Sequence, residues 1–83
     1  MWQVYIIECS DKKLYTGITN DIGRRIEEHN SGKGSRFTRV RAPVKLVYNQ
    51  EAASRSAALK REAEIKKLSR TDKLDLILSA GWV

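Results

Sequence analysis

The segment Trp2-Gln3-Val4-Tyr5-Ile6-Ile7-Glu8-Cys9 constrains the fold more than any other part of the chain. It is rich in β-branched and aromatic residues and reads as a strand. Side chains alternate along a strand, so Trp2, Val4 and Ile6 point one way while Tyr5, Ile7 and Cys9 point the other. Both faces are apolar, so the strand belongs in the interior of a sheet covered on two sides. In 83 residues that demand leaves little besides a small sheet held between helices.

The rest of the chain fits this frame. Ser10-Asp11-Lys12 carries turn chemistry, and Lys13 to Ile18 is a second short strand, joined too closely for a crossover, so the pair forms an antiparallel hairpin. Thr19-Asn20-Asp21 supplies N-cap residues for a first helix with Ile22, Ile26 and Asn30 at helical spacing, ending at Gly32 and Gly34. Ser31 to Pro43 reads as a basic loop with room for one helical turn. Val44 to Tyr48 is a third strand running on toward Glu51. Ser54 caps a second helix from Arg55 to about Leu68, and Ser69, with Asp72 three residues on, opens a third that stops near Gly81. The expectation is one α/β domain over residues 1–83, a small three-stranded antiparallel sheet flanked by helices.

Composition narrows the class. No stretch approaches the roughly 18 apolar residues of a membrane span, and the first fifteen residues resemble neither a signal nor a transit peptide. A cytoplasmic protein with no membrane partner is expected. Cys9 is the only cysteine, so an intrachain disulfide and a Cys-rich zinc site are both excluded. Sixteen Lys and Arg against ten Asp and Glu give a net charge of +6, an excess that favours polyanions, nucleic acid above all.

Helical projection then picks out side chains that hydrophobic packing does not account for. With Ile22 at zero and about 100° per residue, Ile26 falls near about 40°, Arg25 about 300°, His29 about 340° and Arg24 about 200°. The inward stripe therefore holds Arg25 and the only histidine, while Arg24 faces solvent. Arg25 either pairs with Glu8 or Glu62, with His29 bonded to a carbonyl, or binds a phosphate. On the second helix Glu62 lies within the apolar arc of Ala58 and Ile65, and Glu64 lies outside it. A carboxylate so placed is a natural hard-cation ligand, or the partner of Lys66 one turn on. Tyr5 and Tyr15 sit on neighbouring strands, and Gly17 within a strand marks a place of close approach. Lys33, Arg36, Arg39, Arg41 and Lys45, interleaved with Phe37 and Thr38, suit phosphate contacts and base stacking.

Taken together these residues resemble the GIY-YIG endonuclease domain. Its first half-motif corresponds to Gln3-Val4-Tyr5 and its second to Tyr15-Thr16-Gly17; Arg25 and His29 follow, and Glu62 sits in Leu59-Lys60-Arg61-Glu62-Ala63-Glu64-Ile65-Lys66. The match runs from Trp2 to about Leu78 and is most similar to small stand-alone bacterial members, in a branch that elsewhere appends a zinc domain. Gln3 stands where the family has glycine, and Thr16 where it has isoleucine, both at backbone-level positions.

The resemblance implies a metal-dependent endonuclease that hydrolyses phosphodiester bonds, with DNA as substrate, in repair or recombination. Tyr5, Tyr15, Arg25 and His29 would be catalytic, Tyr5 as general base. Glu62 would hold one Mg²⁺ or Mn²⁺, and Gly17, Lys33, Arg36, Arg39 and Arg41 would contact nucleic acid. A free tyrosine titrates near ~10, so positive charge on Arg25 or His29 is expected to favour the phenolate. The alternatives are a non-catalytic DNA- or RNA-binding module on the same scaffold and a purely structural interaction domain.

Overall fold

A computed structural model describes residues 1–80. Strands β1 (Trp2–Glu8), β2 (Leu14–Thr19) and β3 (Lys45–Ala52) form one antiparallel sheet in the order β2-β1-β3. The apolar strand is therefore central, as its two-faced pattern requires, and Val4 to Ile7 are all fully buried. Helices α1 (Ile22–Asn30) and α2 (Arg36–Arg39) lie between β2 and β3 in sequence, and α3 (Arg55–Lys66) and α4 (Arg70–Ser79) follow β3. The single turn α2 falls inside the basic loop. The expected helix stop near Gly81 lies outside the described residues.

The two faces of β1 organise two cores. Val4 and Ile6 pack with Val47, Tyr48, Ala58, Ile65 and Ile77, the side covered by α3 and α4. Tyr5, Ile7 and Cys9 pack with Val44, Tyr15, Ile22, Ile26, Phe37 and Leu46, the side covered by α1 and α2. A register irregularity between Ile6 and Ile7 against β3 pairs Ile6 with Tyr48 and Ile7 with Leu46. Such a bulge breaks strict alternation and lets both Val47 and Tyr48 join the first core. Truncating a side chain as closely surrounded as Ile6 costs roughly 2–5 kcal/mol, a large part of a small domain's stability.

Local chemistry sets the ends of the elements. Asp21 accepts the Arg24 amide at 3.1 Å, Ser54 that of Ala57 at 3.1 Å, and Ser69 that of Asp72 at 3.1 Å, so the three long helices start at the caps their sequences carry. In the β1–β2 turn Lys12 has φ 71°, and Asp11 Oδ1 accepts the Lys13 amide at 3.2 Å. Among the described residues no helix is long and apolar enough to cross a membrane.

Candidate active site

Antiparallel pairing sets Gly17, Tyr5 and Asn49 side by side across the sheet on the face covered by α1 and α2. Tyr5 is fully buried, and its Oη is the meeting point of the site. Arg25 Nε donates to it at 3.3 Å, and His29 Nε2 lies 2.9 Å away. Arg25 and His29 are one turn apart on α1 and reach the same atom because residues four apart share a helix face. Arg24 is exposed, as projection requires. Arg25 pairs with neither Glu8 nor Glu62; its second nitrogen donates to Glu28 of the same helix at 3.1 Å.

Gly17 makes the geometry possible. A Cβ there would lie 2.6 Å from Tyr5 Oη and 2.8 Å from Cζ, inside contact distance of a buried ring. Tyr15 flanks the pair, its ring 6.5 Å from Tyr5 and 5.3 Å from His29 between centroids. Tyr5, Tyr15, Arg25, His29 and Gly17 are thus brought together.

His29 does not bond a carbonyl. Its Nδ1 lies 2.6 Å from Thr38 Oγ1, and both side chains are fully buried. Thr38 in turn accepts the Ser35 amide at 3.3 Å and donates to the Ser35 carbonyl at 3.4 Å, while Ser35 Oγ accepts the Thr38 amide at 3.2 Å, a capping box on α2. These contacts select a tautomer. Arg25 can only donate to Tyr5 Oη, and the tyrosine hydroxyl then has one acceptor in reach, His29 Nε2. Nε2 is therefore unprotonated and Nδ1–H donates to Thr38. In that arrangement the Tyr5 hydroxyl, both His29 ring nitrogens and Thr38 Oγ1 each have a partner.

The electrostatics correct one expectation. Burial pushes the Tyr5 phenol up, above its ordinary value near 10; the Arg25 hydrogen bond and charge pull it down without winning, while Tyr15 and Glu62 push the same way as burial. Burial, helped by the neighbouring Arg25 charge and opposed by Glu28, lowers His29 from 6.5 to about 4. The histidine is thus neutral near pH 7 and supplies no positive charge. It offers a lone pair instead. The resting tyrosine is a phenol hydrogen-bonded to a neutral imidazole, not a phenolate beside two cations.

Glu62 is half-buried on α3, and its Oε2 lies 3.4 Å from Lys66 Nζ. The ion pair one turn along is therefore formed, through one oxygen, and the carboxylate still acts on Tyr5 through its charge. No cluster of three His, Cys, Asp or Glu exists among the described residues. One carboxylate with an oxygen to spare is the donor set of a cation that keeps most of its waters, as Mg²⁺ does, and not of a dehydrated multidentate site. The residues present fit such an ion.

In the basic loop Lys33, Arg36 and Arg39 are exposed and enter no ion pair among the described residues. Arg41 is engaged otherwise: its Nε donates to Asp11 at 3.0 Å, another nitrogen donates to the Phe37 carbonyl at 2.8 Å, and its guanidinium sits 4.2 Å over the Phe37 ring. That ring stacks on Tyr15 at 5.9 Å.

Sequence reasoning placed Thr38 only in the basic loop and Gly34 only at a helix end, and gave Ser35 no role in the site. The Ser-x-x-Thr spacing at Ser35 was the one available signal, a capping pattern inside an apparent loop. Gly34 gave none: a Cβ there would overlap the His29 ring, which only the packed structure reveals. Two buried oxygens among the described residues have no hydrogen-bond partner, Thr16 Oγ1 and Asn49 Oδ1. Thr16 stands where the resemblance puts isoleucine, and its β-branched shape fills that place with an idle hydroxyl.

Comparison with known proteins identifies the family. A family model described as the GIY-YIG catalytic domain matches residues 1–75. The chain is 60% identical over 75 residues to a UPF0213 protein of Syntrophus aciditrophicus, covering 89% of this chain and 86% of that one. It is 53% identical over 74 residues to a UPF0213 protein of Staphylococcus aureus, covering 89% and 90%. The solution structure of a UPF0213 protein of Bacillus halodurans is 46% identical, superposes with a TM-score of 0.60, and is matched over 93% of this chain and 83% of that one.

Proposed function

The chain belongs to the GIY-YIG catalytic-domain family, and from that premise we propose that it is a metal-dependent endonuclease that hydrolyses phosphodiester bonds, with DNA as substrate. The observation that carries the reading is the convergence of Arg25 Nε and His29 Nε2 on the buried Tyr5 hydroxyl. A buried Tyr–Arg–His cluster beside a glycine that keeps the strand surface clear has no packing rationale, since apolar residues would fill the space at lower cost.

Hydrolysis requires that a water lose its proton as its oxygen attacks phosphorus, and that the growing charge on the phosphoryl oxygens be met. Once substrate binding opens the fully buried Tyr5 Oη to a water, Oη takes the water's proton while its own passes to His29 Nε2, so no free phenolate has to form. The imidazolium that results keeps its Nδ1–H on Thr38, already in place. Arg25 holds Tyr5 Oη with Nε and Glu28 with one terminal nitrogen, and presents its other terminal nitrogen to a non-bridging phosphate oxygen. Tyr15 confines the water beside Tyr5. Glu62 would hold the divalent ion, which when bound supplies Lewis-acid stabilisation of the phosphate and leaving oxygen. Lys33, Arg36 and Arg39 contribute phosphate contacts without sequence preference.

The test is Mg²⁺-dependent cleavage of supercoiled plasmid, branched DNA and single strands, with a chelator control. Tyr5→Phe and Glu62→Ala are each expected to abolish cleavage while nucleic-acid binding stays near wild type. Glu64→Ala as the inactivating change in place of Glu62→Ala would overturn the metal assignment, and nucleic-acid binding with no cleavage by the wild-type protein would leave a binding module.

A further inference from the structure

A second cleft opens beside the site. It is lined by Lys13 and Leu14 at the start of β2, Phe37 of α2, and Arg70 and Lys73 on the first turn of α4. Leu14 and Phe37 make an apolar floor, and the three cations make the rim. Among the described residues no carboxylate lines it, and none of the three cations takes part in an ion pair.

The cleft is built and not merely open. Arg70 donates to the Lys12 carbonyl at 2.8 Å, which ties the start of α4 to the β1–β2 turn, fifty-eight residues away in sequence. That turn is fixed in its own right by the positive φ of Lys12 and the Asp11 side chain on the Lys13 amide. Lys73 follows Arg70 by three residues and so shares its helix face. Lys73 is also half-buried without an acidic partner. Three unpaired cations held around an apolar floor leave a net positive field that an anion would relieve.

The cleft is linked to the catalytic cluster through one ring. Phe37 forms part of its floor and stacks on Tyr15, whose ring lies against His29. Thr38, the next residue, holds His29 Nδ1. An occupant of the cleft is therefore separated from Tyr5 only by the stacked rings of Phe37 and Tyr15.

We infer that this cleft holds an unpaired stretch of the substrate strand beside the scissile phosphate, with a base against Leu14 and Phe37 and backbone phosphates on Lys13, Arg70 and Lys73. Both halves of the lining are needed by such a ligand, and by few others. Phosphates alone would be served by the exposed cations of the loop, with no apolar floor. A base within a duplex has its faces covered by its neighbours, so only an unpaired base can settle on that floor. The inference rests on the nuclease reading and narrows it to junctions of duplex with single strand, such as flaps and tails.

The experiment measures binding by fluorescence anisotropy, with chelator present so that nothing is cut. The ligands are a blunt duplex, the same duplex with a five-nucleotide tail, and the same tail made abasic; polyglutamate serves as a plain polyanion. The wild-type protein is expected to bind the tailed duplex about tenfold more tightly than the blunt one, with the abasic tail in between and polyglutamate weakest. Lys13→Gln with Lys73→Gln should remove most of the tail's advantage, lower its salt slope by about 1 to 2, and leave blunt duplex unchanged. Both lysines project from the rim, and circular dichroism checks folding. Arg36→Gln with Arg39→Gln should weaken both duplexes alike. Equal losses on tailed and blunt duplexes, no loss at all, or an abasic tail bound as well as a normal one would each overturn the inference. If the wild-type protein binds and cuts DNA while the cleft variant matches it on every ligand, only the cleft fails; if no nucleic acid binds the wild type, the nuclease reading fails with it.

Discussion

Thr38→Val tests the proton path at a residue that touches no substrate. The substitution keeps the β-branched shape and deletes Oγ1, which takes the bond from His29 Nδ1 at 2.6 Å and from the Ser35 amide at 3.3 Å. His29 is fully buried, so its Nδ1–H cannot turn to water. An orphaned buried donor costs about 1–3 kcal/mol, and losing half of the capping box on α2 costs about 0.5–1 kcal/mol more. For a domain of this size the melting temperature should fall by on the order of 10 °C.

Catalysis should respond differently. The variant relieves the orphan by moving the imidazole proton to Nε2, which then donates to Tyr5 Oη and leaves the tyrosine hydroxyl without its acceptor. If the tautomer preference shifts by about 1.5–3 kcal/mol, the cleavage rate should fall about 10- to 100-fold, since about 1.4 kcal/mol is a factor of ten. Single-turnover cleavage, run well below the variant's melting temperature, measures the loss. Nitrogen-15 NMR of the single histidine reads the tautomer directly, and Thr38→Ser, which keeps the hydroxyl, should restore both tautomer and rate. An unchanged tautomer with an unchanged rate in Thr38→Val would refute the reasoning.

Other perturbations probe the same cluster. Arg25→Ala should lower the single-turnover rate by ~10²-fold or more and Arg24→Ala only slightly, with Arg25→Lys a poor rescue because the fork is lost; equal losses for the two alanine variants would leave a merely basic helix. Gly17→Ala drives a methyl into the Tyr5 ring, so it should destabilise by about 1–3 kcal/mol and cut the rate at least about tenfold, and an unaltered melting temperature would show that the ring moves freely. His29 is held down to about 4 by burial while the unfolded chain titrates near 6.5, so the unfolded state binds more protons between those values. Stability should therefore be lost as pH falls from about 6.5 to about 4, by at most about 3 kcal/mol from this residue. Urea titrations at several pH values should show a shallower acid loss in His29→Gln, and identical curves would exclude the histidine as the cause.

The sheet was legible in the sequence because β1 violates the usual one-faced pattern: a strand apolar on both sides has to be central, and the other strands and helices follow from covering it. The cluster was legible for a related reason. Arg25 and His29 fall on the inward arc of α1, and Gly17 sits mid-strand, each an anomaly by the packing rules for its element. The protonation states were not legible. Whether Arg25 and His29 lower the Tyr5 pKa depends on how much water reaches them, and α2 with Gly34 closes over the imidazole in a way no periodicity encodes. Thr38 was hidden because a one-turn helix inside a basic, glycine-bearing stretch offers too few residues for a period to show. The role of Arg41 was hidden because its partners, Asp11 and Phe37, come together only when the β1–β2 turn meets α2.

The two faces of β1 divide the work of a small domain. The face carrying Val4 and Ile6 buries apolar neighbours, Tyr48, whose hydroxyl reaches out to Gln50 at 2.7 Å, and Thr16, whose hydroxyl is left unpaired. That face can stabilise the fold without any polar network. The opposite face gives up part of its core volume to Tyr5, His29, Thr38 and the Arg25 guanidinium, which hydrophobic residues would fill with a gain in stability. A chain of 83 residues has little stability to spare. The polar face is tolerable because the chain from Tyr5 through His29 to Thr38 closes, with His29 kept neutral. The charged Arg25 is only half-buried and pairs with Glu28, while Asn49 Oδ1 beside Tyr5 is left without a partner. An incomplete network would cost more than an apolar core, so single substitutions along the chain should be punished in stability as well as rate. Glu62 stands outside that closed chain, reaching Tyr5 by charge alone. Its removal should therefore be the one catalytic change that leaves the melting temperature nearly untouched, separating the metal's contribution from that of the proton path.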